Sequence, residues 1–118
     1  MDLKALDKAL QEIVNTRKEL AGIDYNNPKY DDLEEKLHDL EDDFQDEYGA
    51  YMEEVIQKVH DQHCPDNDVL LPIAYLGDGV PVELEKLPGK DARLVLEANP
   101  PRLFLRVKDK QQLVWEGK

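Results

Sequence analysis

Near residue 63 the spacing of apolar side chains changes from the three-and-four step of a helix to the two-step alternation of a strand. That switch fixes the class of fold open to this chain. Before it, Leu3, Leu6, Leu10, Ile13, Arg17 and Leu20 recur at steps of 3, 4, 3, 4 and 3, a heptad seam interrupted once by charge. Asp2 is expected to cap this helix, because a carboxylate there accepts from the exposed first-turn amides and meets the positive end of the helix dipole. Gly22 is expected to close it in the left-handed conformation, with Ile23 folding back on the last turn. Asp24-Tyr25-Asn26-Asn27-Pro28 connects to a second helix, with Asn27 as its cap and Pro28 at its first position, where a missing N–H costs nothing.

The second helix carries Tyr30, Leu33, Leu37, Leu40 and Phe44 at the same steps, then Tyr48, Tyr51, Val55 and Val59, where strict heptad phase breaks. Met52 and Ile56 widen the stripe. A narrow seam suits one partner helix, whereas a broad face suits a sheet. Helices over residues 2–21 and 28–62 would be about 30 Å and more than about 50 Å long. The first therefore covers only part of the second, and the C-terminal half is the partner left for the remainder.

After the turn-rich Cys64-Pro65-Asp66-Asn67-Asp68, the pattern predicts strands over 69–76, 80–86, 92–98, 102–108 and 111–116. Gly77-Asp78-Gly79, Pro88-Gly89-Lys90-Asp91 and Asn99-Pro100-Pro101 read as the turns between them. Leu94 and Leu96 oppose Arg93, Val95 and Glu97, while Leu103, Leu105 and Val107 alternate with Arg102, Phe104, Arg106 and Lys108. One sheet face is expected on helix 2 and the other in solvent. The fold class is α+β: an N-terminal antiparallel helical hairpin (1–63) whose long second helix packs on a C-terminal antiparallel β-meander of about five strands (64–118). At 118 residues the two halves are expected to make one domain.

Charge divides at the same place. The chain carries 27 acids and 15 bases, a net of -12. Residues 1–63 hold 18 acids and 7 bases, and residues 64–118 hold 9 and 8. The excess argues against nucleic acid, whose binders displace counterions with basic surface, and against anionic membranes. A local anionic contact on the near-neutral sheet stays open. One cysteine, Cys64, allows no intramolecular disulfide, and the N-terminus offers no apolar run for a signal peptide. The expected location is cytoplasmic.

Chemistry-bearing residues concentrate at the boundary between the halves. His60, His63, Cys64, Asp66 and Asp68 are the candidate metal ligands, since His60 and Cys64 lie one helical turn apart and could share an ion. Their spacing matches no zinc pattern, and a calcium loop from Asp66 fails at Leu71 and Gly77. The structural alternative is that the histidines complement the helix dipole and pack. Tyr48, Tyr51 and Tyr75 could line a pocket there, or pack with their hydroxyls reaching water. No cofactor is expected. The chain has no serine and a single threonine, Thr16, and no phosphate loop, so nucleophilic and phosphoryl-transfer chemistry find no support.

Two surfaces remain. Asp31 through Glu47 contains ten carboxylates and one lysine. Its Asp31, Asp32, Glu35, Asp39, Asp42, Asp43 and Asp46 form an acidic face that either solubilises the helix or draws in a basic partner. On the sheet, Arg93, Phe104 and Arg106 have the composition of an interface, or of cross-strand ion pairs to Glu83, Glu85 and Glu97. The hairpin leucines Leu3, Leu6, Leu10, Leu33, Leu37 and Leu40 are expected to be half covered and to pair in a homodimer as a four-helix bundle. The functional expectation is a non-enzymatic protein–protein interaction module of adaptor, chaperone or inhibitor kind. The alternative is a small ligand- or metal-binding domain with its site at the helix–sheet junction.

Overall fold

The computed structural model describes residues 1–87, 89 and 91–117. Helix α1 spans Leu3–Ala21 and α2 spans Tyr30–His63. Asp2 caps α1, its Oδ1 accepting from the amides of Lys4 and Ala5 at 3.1 Å each. The helix closes differently from expectation. Gly22 is right-handed (φ -88°, ψ 0°), and its N–H donates to the carbonyls of Lys18 and Glu19. A tightened last turn thus satisfies the carbonyls that a left-handed cap would otherwise have taken. Asn27 caps a turn just ahead of α2, its Oδ1 accepting from the Lys29 amide at 2.9 Å and its carbonyl from the Tyr30 amide at 3.0 Å. The regular helix therefore starts two residues later than expected.

Four strands follow: β1 (Val80–Val82), β2 (Ala92–Glu97), β3 (Arg102–Val107) and β4 (Lys110–Glu116), in that order across one antiparallel sheet. The strand expected at 69–76 is absent. Pro72–Tyr75 winds into a 3-10 turn instead, and Leu76 alone touches the sheet through a bridge to Leu96. Pro72 has no N–H to give a ladder and its φ suits a first helical turn, so the apolar run around it folds as a turn. The strand expected at 80–86 stops at Val82. Beyond it the Asn67 side chain replaces a neighbouring strand, donating to the Glu83 carbonyl at 3.1 Å and accepting from the Glu83 amide at 3.3 Å. The turn read at 88–91 includes Pro88 and Lys90, which lie outside the described residues. Between β3 and β4 the register shifts, with Leu103 opposite Trp115 and Phe104 opposite Leu113. Val114 is left as the extra residue of a bulge.

Helices and sheet share one contiguous core. Leu6, Leu10 and Ile13 from α1 meet Phe44, Met52 and Ile56 from α2, Tyr75 from the 3-10 turn, and Leu94, Leu96 and Leu103 from the sheet. The core occupies one part of the hairpin only. From residue 17 to residue 43 nothing is fully buried, so Thr16 and Phe44 mark where the core stops and a two-helix arm begins. The overall extents are 48 × 32 × 22 Å, the long axis comparable to the roughly 51 Å of a 34-residue helix. Among the described residues no helix is long and apolar enough to cross a membrane.

Candidate functional site

At the end of α2, His60 is fully buried and both ring nitrogens are engaged. Nδ1 lies 3.0 Å from the main-chain carbonyl of Asn67, which can only accept, so Nδ1 donates there. Nε2, 3.1 Å from the Tyr75 hydroxyl, is then the acceptor. That hydroxyl donates to His60 and receives the Leu70 amide at 3.1 Å. The chain of bonds is complete from Leu70 through Tyr75 and His60 to Asn67, and the Asn67 side chain extends it to Glu83. Cys64 is also buried. Its amide bonds the His60 carbonyl at 2.8 Å, and burial pushes its thiol up, away from the thiolate that metal binding or nucleophilic attack requires.

These bonds correct the metal-site expectation. His60 has no free lone pair, Cys64 is held as a thiol, Asp66 and Asp68 are exposed, and His63 is half-buried with its carbonyl on the Glu85 amide at 3.0 Å. Among the described residues no group of three His, Cys, Asp or Glu is placed to hold an ion. Tyr75 does not line a wet pocket either, since it is fully buried and its hydroxyl is spent on protein. Sequence reading missed Asn67 and the partnership of His60 with Tyr75. The available signal was an Asn in the turn directly after a helix, a residue suited to bonding backbone.

The outer sheet face also departs from expectation. Phe104 is only 9 % exposed and Val95 is fully buried, so neither offers an apolar contact to a partner. The main chain at Gly79 (φ +79°) crosses so close that a Cβ there would lie 2.6 Å from Val95 Cγ2. Over Phe104 sits the Arg102 guanidinium, 5.3 Å from the ring centroid, held by the carbonyls of Ala98 and Pro100. Arg106 is bound by Glu97 at 3.2 Å and Gln111 at 2.6 Å. Of the three sheet residues named as a contact surface, Arg93 alone is exposed and without a polar side-chain partner among the described residues. Glu97 supplies the cross-strand pair expected, and Glu83 and Glu85 do not.

The hairpin seam is closed at its centre. Leu6 and Leu10 have no exposed surface, because α2 and the sheet both close over α1. Leu6 and Leu10 therefore present no surface to a second copy. Leu3, Leu33, Leu37 and Leu40 are half-buried. Arg17, apparently an interruption of the seam, is a clip: its guanidinium pairs with Glu41 of α2 and reaches the Ile73 carbonyl of the 3-10 turn at 3.4 Å. Asp7 makes a second tie, accepting the Asn99 amide of the β2–β3 turn at 2.7 Å.

On the arm Asp31, Asp32, Glu35, Asp39, Asp42 and Asp43, and just past it Asp46, are all exposed, and none makes an ion pair or a side-chain hydrogen bond among the described residues. Asp32 and Lys36, one helical turn apart, make no ion pair among the described residues. Among the described residues Glu54 and Lys58, 3.9 Å apart, are the single helical i,i+4 ion pair. This leaves a row of solvated carboxylates on a projecting element, with no desolvated pocket to turn any of them into a general acid. Compared with protein families, curated proteins and solved structures, the chain matches none.

Proposed function

We propose that this protein is a non-enzymatic interaction module whose acidic arm engages a basic partner. One observation carries the reading: six carboxylates on the arm, and Asp46 just past Phe44, lie exposed without an ion pair among the described residues. Like charges one helical turn apart weaken a helix, and a core-packed helix of this length gains nothing from keeping them unpaired. A basic surface approaching the arm would neutralise them and be steered to it from a distance.

The test is calorimetric titration of a lysine-rich peptide into three proteins at low and high salt. The wild type should bind with an affinity that falls steeply as salt rises. A variant with Asp39, Asp42, Asp43 and Asp46 changed to asparagine should lose about tenfold or more in affinity at low salt. A control with Glu12→Gln, Asp66→Asn, Asp68→Asn and Asp78→Asn loses the same net charge away from the arm and should bind nearly as the wild type does. Equal losses in the two variants would reduce the arm to part of a diffuse negative field and sink the proposal.

A further inference from the structure

Two aromatic rings flank a groove of about 370 Å³ where β4 meets α2, Tyr51 on the helix side and Trp115 on the strand side. Both are half-buried. Among the described residues neither lies against another ring or under a cation, and neither makes a side-chain hydrogen bond. Gly117 keeps the indole in this position. Its amide bonds the Pro101 carbonyl at 2.8 Å, and a Cβ on it would lie 2.8 Å from Trp115 Cη2. The indole thus takes up the space that a side chain at 117 would need.

Between the rings the groove is apolar, lined by Val55 and Val59 of α2 and by Val114, the bulge residue of β4. Glu54 and Lys58 stand at its rim, 3.9 Å apart, with side chains 72 % and 73 % exposed. So loose a pair in solvent holds its partners weakly. The groove also continues the acidic side of the arm. Asp43, Glu47, Glu54 and Asp61 follow at steps of 4, 7 and 7, on one face of α2, and Lys58 is the one lysine or arginine between them. Two free π faces, an apolar lining and a rim carboxylate in a negative field are the chemistry that receives a cation on an alkyl stem.

We infer that the groove takes an arginine side chain of the basic partner, an assignment that rests on the reading of the arm given above. The arginine stem lies along the valines, and its guanidinium enters between Tyr51 and Trp115 and displaces Lys58 from Glu54. Arginine fits this setting better than lysine. Its planar head stacks on a ring, sheds water more readily than an ammonium, and has donors enough for Glu54 and the Tyr51 hydroxyl together. The arm then supplies attraction to any basic chain, and the groove supplies the choice among basic chains.

Three peptides that differ at one position test the inference: the lysine-rich peptide, and the same peptide with its central lysine replaced by arginine or by leucine. The arginine peptide should bind the wild type about threefold or more tighter than the lysine peptide. It alone should change the fluorescence of Trp115, the one tryptophan. Trp115→Leu and Glu54→Gln should each bring the two affinities together, and Glu54→Gln, at an exposed position, decides the matter should Trp115→Leu fail to fold. Lys58→Gln frees Glu54 and should widen the preference. The variant with Asp39, Asp42, Asp43 and Asp46 changed to asparagine should weaken both peptides and keep their ratio. Equal affinities in the wild type, or a preference that survives Glu54→Gln, overturn the assignment and leave the arm reading standing on its salt-dependent lysine peptide. A leucine peptide that matches the arginine peptide overturns it in favour of an apolar anchor. Binding of none of the three overturns both readings.

Discussion

Tyr75 holds the junction through one oxygen. Its hydroxyl serves the His60 ring in a buried bond and the Leu70 amide in a part-buried one, so removing it leaves a buried acceptor and a backbone donor without this partner. Tyr75→Phe should therefore lower unfolding free energy by about 1–3 kcal/mol, read as a shift of the urea midpoint with unchanged slope. The same burial gives an alkaline limit. Desolvation raises the Tyr75 phenol and the Cys64 thiol above their ordinary values. The unfolded chain releases these protons first, so their stabilising contribution is full at neutral pH and is lost as pH rises past about 9 for the thiol and about 10 for the phenol. Urea midpoints should fall from about pH 9 upward, and Cys64→Ala should delay the onset towards about pH 10; a midpoint constant across this range would contradict the account. This junction shows what residue types alone conceal. His60, Cys64 and two aspartates within a few positions look like ligands in one dimension. The atoms that already occupy His60 come from Asn67 and from Tyr75, fifteen residues on, and no periodicity links them.

At the scale of elements, what was legible is what repeats. Three-and-four spacing located both helices, and alternation located β2, β3 and β4. The run from Val69 to Leu76 has no period, and there the decision passed to Pro72 and to Tyr75 being drawn inward. Seam position 17 was equally opaque, because an arginine in a leucine stripe reads as a defect until its partners are known. Arg17 joins α1 to α2 through Glu41 and to the 3-10 turn through Ile73, three elements distant in sequence. Arg17→Met keeps the aliphatic stem and removes both bonds. It should cost about 1 kcal/mol, in the range of a part-buried charged hydrogen bond discounted for screening. A double-mutant cycle with Glu41→Gln apportions the loss: a coupling near zero would leave the Ile73 carbonyl as the working contact, and a coupling close to the whole effect would assign it to the ion pair.

The whole molecule is longer than its size requires. Its radius of gyration is 15.2 Å, against roughly 13–14 Å for a compact domain of this length. The difference lies in the arm, where no residue is fully buried and where the exposed acids stand. This arrangement was half visible beforehand: the charge run was plain, but the end of the core at Thr16 and Phe44 follows from where the sheet stops, which helical spacing does not encode. Carboxylates placed in this way work against the arm's own stability. Glu35–Asp39, Asp39–Asp43 and Asp43–Glu47 are like-charged i,i+4 pairs, each unfavourable by a few tenths of a kcal/mol. Changing Asp39 and Asp43 to glutamine removes all three repulsions without disturbing any bond in the fold. The variant should therefore melt higher than the wild type at low ionic strength. At about 1 M salt, where screening acts within about 3 Å, the difference should vanish. If the acids serve a basic partner, the stabilised variant must also bind the lysine-rich peptide less tightly, so that melting temperature and affinity move in opposite directions. A variant that melts higher and binds as well as the wild type would leave the acids a role in solubility alone.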